Sequence, residues 1–285
     1  MTHDTVTLAR HPVHRIGFGA MQLPGPGVLG PPADHATAVA VLRRAVEAGV
    51  DHIDTAQFYG PDVANDLIRE ALYPYPDELV LVSKVGAARD RAGAWLPAQR
   101  PEELRAGVEA NLASLGLDRV PVVNLRRHPD SDVPFTEQVD LMVALRDEGL
   151  IGGIGLSNVD LGQYRSARGR TQVACVQNAY SWADRTDQDL FEACAADGVP
   201  YVPFFPLGSA FTPESPVLTA PAVVEVAGHL DATPAQVALA WLLQAAPTVL
   251  LIPGTSSLGH LEENLAAGRL VLDPTALDRL APLPG

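Results

Sequence analysis

One recurrence constrains this chain more than any other feature. A short apolar run is followed by a stretch with helical periodicity, and the pair repeats along the sequence. Runs such as Leu79-Val80-Leu81-Val82 and Val120-Pro121-Val122-Val123 do not alternate apolar with polar residues, so both faces of these strands should be covered, as in parallel sheets. Strands are expected at 16–21, 52–54, 79–84, 120–125, 151–156, 174–177, 201–204 and 249–252. Helical patterns separate them, from the first at 34–48, capped by Asp34 and ended by Gly49, to the last at 258–267. The tally reaches eight, which closes a (β/α)8 TIM barrel, and residues 1–285 read as a single domain without a long linker. No GxGxxG follows the first strand, which disfavours an open dinucleotide-binding sheet. A short hairpin at 6–15 is expected to cap the barrel bottom, and the Gly/Pro-rich stretch Pro24–Pro32 reads as a flexible loop.

Barrel chemistry gathers where the strands end. The strand at 52–54 ends on Asp54, and Tyr59 follows in the next loop; the strand at 79–84 stops on Lys84. A lysine beside a tyrosine makes the phenol more acidic, and a carboxylate keeps that lysine charged and oriented. Such a tyrosine can give a proton to a carbonyl oxygen while hydride reaches the carbon. A buried structural ion pair with a bystander tyrosine is the plainer alternative.

The motifs HIDTAQFYG (52–60), VSK (82–84), GIGLSN (153–158) and IPGTSS (252–257) together resemble the aldo-keto reductase superfamily, in the family's order and over nearly the whole chain. The resemblance implies that Tyr59 is the general acid, that Lys84 activates it and that Asp54 pairs with Lys84. A Schiff base on Lys84 is a second reading. In the family, a strand running Asp-x-x-x-x-His supplies a histidine that orients the substrate carbonyl. Here the segment starts at Asp118, and alignment on the apolar strand ending at Leu125 puts Arg126 at that place, with His128 two residues later on the loop. Either Arg126 replaces the histidine or His128 swings in to complete the tetrad. A guanidinium, always charged and without an acceptor, could polarise a carbonyl or clamp a carboxylate or phosphate. Aldehydes and ketones, imines and activated alkenes therefore all stay open as substrates.

The resemblance extends to a nicotinamide nucleotide. It assigns Ser157, Asn158 and Gln177 to the carboxamide, and Phe204 to the face of the nicotinamide ring, with Phe205 as the neighbouring alternative. Leu207, Gly208 and Ser209 fall on the pyrophosphate loop, while Gly19 and Met21 lie in the first strand, whose glycines let a ligand approach the backbone. Gly254, Thr255 and Ser256 open the last helix as an anion site suited to a 2′-phosphate, with His260 close by, and Glu263 and Asn264 match the adenine contacts. Family members using NADPH often carry a lysine at position 254 and an arginine at 260, and both cations are absent here. NADPH is expected, with NADH as the alternative. Trp95, Tyr180 and Trp182, with His128, are placed as walls of the substrate pocket. His52, inside the second strand, reads as a satisfied core histidine.

Composition narrows the partners. A formal charge of −14 argues against nucleic acid or an anionic membrane, and no apolar run is long enough to span a bilayer. Cys175 and Cys194 lack metal-ligand spacing and fit reduced thiols in a cytoplasmic protein. The expectation is an NAD(P)H-dependent oxidoreductase for a small carbonyl-type molecule, monomeric or weakly homo-oligomeric. A nucleotide-binding regulatory subunit with little turnover is the alternative.

Overall fold

The computed structural model describes residues 5–90, 92–208 and 215–281. A hairpin, β1 (Thr5–Leu8) with β2 (His11–His14), pairs in antiparallel register and precedes the barrel. Six parallel strands then form one curled sheet: β3 (Phe18–Gly19), β4 (His52–Asp54), β5 (Val80–Val85), β8 (Val120–Arg126), β9 (Ile151–Ser157) and β10 (Val173–Gln177). Single parallel bridges close the circle, from Val176 to Tyr201, from Tyr201 to Val249, and from Leu251 back to Ile16. The strands expected at 201–204 and 249–252 are thus reduced to isolated bridges. Pro203 interrupts the first, Pro200 and Pro253 adjoin them, and proline cannot donate to a ladder.

The first strand is likewise shorter than expected. After Gly19 the chain turns into a 3₁₀ segment at Ala20–Gln22. The Pro24–Pro32 loop is ordered rather than loose. Gly25 N–H donates to Gly30 O, Gly30 N–H donates to Gly60 O, and the Arg89 guanidinium donates to Gly27 O. Trp95 does not sit on a bare loop but on β7 (Trp95–Pro97), which pairs with β6 (Ala87–Arg89).

Helices α1 (His35–Glu47), α2 (Val63–Leu72), α3 (Pro101–Leu115), α4 (Phe135–Asp147), α5 (Leu161–Arg168) and α6 (Gln188–Ala196) cover the strands, each with its apolar stripe turned inward. The Asp34 carboxylate accepts from Thr37 N–H at the start of α1, and Gly49 leaves it with φ of 95°. α7 (Pro221–His229), α8 (Pro234–Ala245), α9 (Leu258–Ala266) and α10 (Pro274–Arg279) complete the shell. Proline opens α10 behind an Asp273 cap, a start signal absent from the helical patterns expected above.

Inside the barrel the side chains stack in layers. The lowest joins Leu8 and Val13 of the hairpin to Val80, Val82, Val122 and Leu250. The next carries Lys84 and Asn124, which are paired in register. A Cβ on Gly155 would lie 1.9 Å from the Asn124 side-chain oxygen, so a glycine on the neighbouring strand makes room for it. Behind β4 and β5 runs a buried polar chain. Thr55 donates to Asn65, Asn65 donates to Asn111, Ser83 donates to Asn111, and Asn111 donates to Lys84 O. It ties the strand ends that carry Asp54 and Lys84 to α2 and α3. His52 is buried against Gly17 with its Nε2 unpartnered, so it is a packed core histidine only half satisfied.

Candidate active site

The C-terminal mouth of the barrel holds a cavity of about 430 Å³. Asp54, Tyr59 and Lys84 lie on its floor, and Arg126, Gln177 and Phe204 stand around them. Gly19, Met21, Leu207, Gly208 and Gly254 line the rim, and Phe58 and Trp95 supply a flat apolar wall with their rings edge to face at 5.7 Å. Residues far apart in the chain meet here because each follows a strand that ends at this rim.

Lys84 is buried, with only 2% of its surface exposed, and its acceptors are all protein groups. Its ammonium donates to Asp54 Oδ1 and, at 3.0 Å, to Thr55 O. It stands 5.0 Å from the centroid of the Tyr59 ring and interacts with that residue's hydroxyl. Burial works against the charged amine, yet Asp54 and Tyr59 outweigh it, and the Lys84 pKa is raised above the ordinary lysine value. An ammonium held in its charged form by Asp54 is a poor nucleophile, which argues against the Schiff-base reading. The second oxygen of Asp54 accepts from Gln177 Nε2 at 2.9 Å. Lys84 is also the only lysine of the chain, every other member of its twenty Lys and Arg being arginine. That count was a signal for the site, and the sequence reading passed over it.

Tyr59 is held by its backbone, donating to Ala56 O and accepting from Ala64 N–H, and by edge-to-face contact with Phe58 at 5.4 Å. Its side chain is buried among the cavity walls. Arg126 ends β8, paired with Ser157, and its guanidinium lies 5.8 Å from the Phe204 ring centroid. Its backbone is pinned from outside: Gln99 donates to both Arg126 O and Gly86 O.

The mouth also fits the nucleotide that the sequence called for. Ser157 Oγ is buried with no partner, beside Gln177 in the strand register, and so offers an unmet polar atom there. Asn158 follows in the left-handed region with φ of 56°, exposed at the rim. At the far end Thr255 is buried and Ser256 exposed, while Ser257 caps α9 through His260 N–H. His260 is exposed, Glu263 half-buried and Asn264 buried on the same helix. Ser209 lies outside the described residues.

Three expected pocket residues are elsewhere. Tyr180 is buried in the core, stacked on Phe191 at 4.8 Å and donating its hydroxyl to Gln188. Trp182 turns towards the C-terminal helices, where its indole N–H donates to Leu280 O at 2.8 Å. His128 accepts from Asp130 N–H on the loop and does not line the cavity, so Arg126 alone occupies the position where the family's histidine was sought. In each case another partner, near in the chain for Tyr180 and His128 and distant for Trp182, holds the side chain away from the mouth.

The family model for the aldo/keto reductase family matches residues 15–283. The chain belongs to the aldo/keto reductase family. Its oxidoreductase character and its barrel, expected from the sequence motifs, are those of this family. It is 50% identical over 285 residues to pyridoxine 4-dehydrogenase of Escherichia coli, covering 98% of each chain. An aldo/keto reductase from Klebsiella pneumoniae solved with NADP and acetate superposes with a TM-score of 0.81 at 29% identity, over 97% of this chain and 94% of that one. A Klebsiella pneumoniae aldo-keto reductase solved with NADPH gives the same TM-score of 0.81 and 29% identity, over 98% and 94%.

Proposed function

We propose that this aldo/keto reductase interconverts pyridoxine and its 4-aldehyde with NADP(H) as the hydride carrier. The observation that supports the reading most directly is the placement of Tyr59 and the paired Lys84 and Asp54 on the floor of an aromatic-walled cavity. The relative with half its residues identical supplies the substrate class.

Ser157, Asn158 and Gln177 would hold the nicotinamide carboxamide, and Phe204 offers a ring face beside them. Leu207 and Gly208 would line the path of the pyrophosphate, with the Gly208 N–H already donated to Phe205 O. Gly254, Thr255, Ser256, His260, Glu263 and Asn264 would take the adenosine end, with hydroxyls and helix amides favouring a 2′-phosphate over the bare ribose of NADH. When bound, the nucleotide supplies the hydride that the carbonyl carbon receives. Tyr59 gives its hydroxyl proton to the carbonyl oxygen, completing the alcohol. The Lys84 ammonium, held by Asp54 and Thr55 O, then compensates the charge left on the phenolate. In the oxidative direction the phenolate takes the proton from the alcohol. Phe58 and Trp95 exclude water from one side of the aromatic substrate.

The test is turnover by the purified protein, followed by the absorbance of the reduced nicotinamide. NADPH should be consumed with pyridoxal and formed from NADP and pyridoxine. No turnover in either direction, and none with a panel of simple aldehydes, would refute the reading in favour of a binding role.

A further inference from the structure

We propose that Arg126 selects substrates carrying an ionisable hydroxyl on the ring carbon next to the aldehyde-bearing one, by holding that oxygen as an oxyanion on its guanidinium. The inference deepens the proposed function and rests on it, because pyridoxal is an aldehyde of this ortho-hydroxyaryl type.

The argument begins with two adjacent arginines. Arg127 is spent on the protein: its guanidinium donates to Val133 O, Ser131 O and the side chains of Gln99 and Gln138. Arg126 makes no hydrogen bond and no ion pair through its side chain among the described residues, although its backbone is pinned by Gln99. A guanidinium has five donors and no acceptor, and a half-buried one gains from an anionic oxygen that the protein has not supplied. Among the described residues the lining offers it no spare carboxylate: Asp54 is the one acid there, and both of its oxygens are engaged, by Lys84 and by Gln177. Among these residues two cations face one anion, a balance that an anionic ligand would restore.

The shape of the walls decides which anion. Phe58 and Trp95 offer apolar ring surfaces suited to an aromatic ring rather than to an aliphatic 2-oxo acid, with Phe204 left to the nicotinamide. On such a ring, an aldehyde oxygen and an ortho oxygen project side by side, the spacing that the two parallel N–H groups of a guanidinium fork accept. A para hydroxyl points away from the fork, and an ortho methoxy group cannot ionise.

The experiment compares kcat/KM for 2-hydroxybenzaldehyde, 2-methoxybenzaldehyde and 4-hydroxybenzaldehyde with NADPH in wild type, Arg126→Gln and Arg126→Lys. The intrinsic reactivity of each aldehyde cancels when its preference ratio is compared between variants. The 2-hydroxy over 2-methoxy ratio should fall roughly 10- to 100-fold in Arg126→Gln, the scale of a lost charge-assisted hydrogen bond. Arg126→Lys should keep part of it, a point charge without the fork. An unchanged ratio in Arg126→Gln overturns the inference. So does a wild type that prefers phenylglyoxylate to every hydroxyaryl aldehyde and loses that preference in Arg126→Gln, since the guanidinium then serves a carboxylate. Binding of 2-hydroxybenzamide against 2-methoxybenzamide, followed by tryptophan fluorescence, reads the same contact without turnover. An enzyme silent on all aldehydes thus fails the proposed function, while the Arg126 inference stands or falls on the binding ratio. Should neither variant fold, the wild-type binding ratio must rise with pH as the phenol ionises, and a flat profile overturns the proposal.

Discussion

The two ends of the barrel interior are made from the same strands and serve opposite ends. Where β5 and β8 begin, Val80 and Val122 pack with Leu250 against Leu8 and Val13 of the hairpin in one apolar cluster. Where they finish, Lys84 and Arg126 stand over the cavity with Asp54 and Gln177. The lower end is closed by apolar surface, which needs no ligand and supplies stability. The upper end concentrates charge that the protein satisfies only in part. Lys84 has its acceptors within the protein, and the Arg126 side chain has no hydrogen-bond or ion-pair partner among the described residues. A rigid floor under an incomplete rim is the arrangement a binding site needs.

Mutations at the two ends should therefore separate stability from turnover. Tyr59→Phe, at the upper end, should lower kcat by roughly 10²–10⁴-fold, the scale of a lost general acid, with the melting temperature nearly unchanged. Steady-state rates and a thermal melt on the same preparation check it, and an active Tyr59→Phe would remove the proton donor from the account. Lys84→Met should cost both properties, because Asp54 is left buried without its cation; about 3–5 kcal/mol of stability should go, read by urea denaturation.

At the lower end, Leu250→Ala should lose about 2–5 kcal/mol through cavity formation while kcat of the folded fraction is retained. A change in kcat there would show that the two ends are mechanically linked. The Lys84 pair also predicts a pH dependence. Its pKa is raised in the fold, so its contribution is fully present below the ordinary lysine value of 10.5 and is lost as pH rises through the higher folded value. Wild type should lose its stability advantage over Lys84→Met across that alkaline window, and a constant difference would disprove the pairing. The smallest effect is expected for Trp182→Phe, which gives up one hydrogen bond to Leu280 O, about 1 kcal/mol, without altering KM for any aldehyde.

The floor of the site was legible because each of its members follows a strand whose end is marked locally. Asp54 and Lys84 terminate apolar runs, and Tyr59 falls in the loop between strand and helix. The rim was less legible. Tyr180 and Trp182 follow β10 just as Lys84 lies near the end of β5, yet α6 captures one and the C-terminal helices the other. The polar chain through Asn65 and Asn111 was missed, although two asparagines on the apolar stripes of α2 and α3 were a visible irregularity. The Gly/Pro-rich loop read as loose because its order comes from Gly60 and Arg89, which local composition cannot show.

Periodicity and strand-end chemistry are properties of neighbouring residues, so the sequence by itself determined the alternation of strands and helices and named the acid, the phenol and the amine. Which acceptors each cation received was left to closure of the barrel. That step brings Gln177 onto Asp54 across a separation of 123 residues, surrounds Lys84 with partners, and leaves the Arg126 guanidinium facing the cavity with no hydrogen-bond acceptor among the described residues. Burial decides this outcome, because a charge removed from water must find its counterpart among whatever side chains the closed fold places beside it.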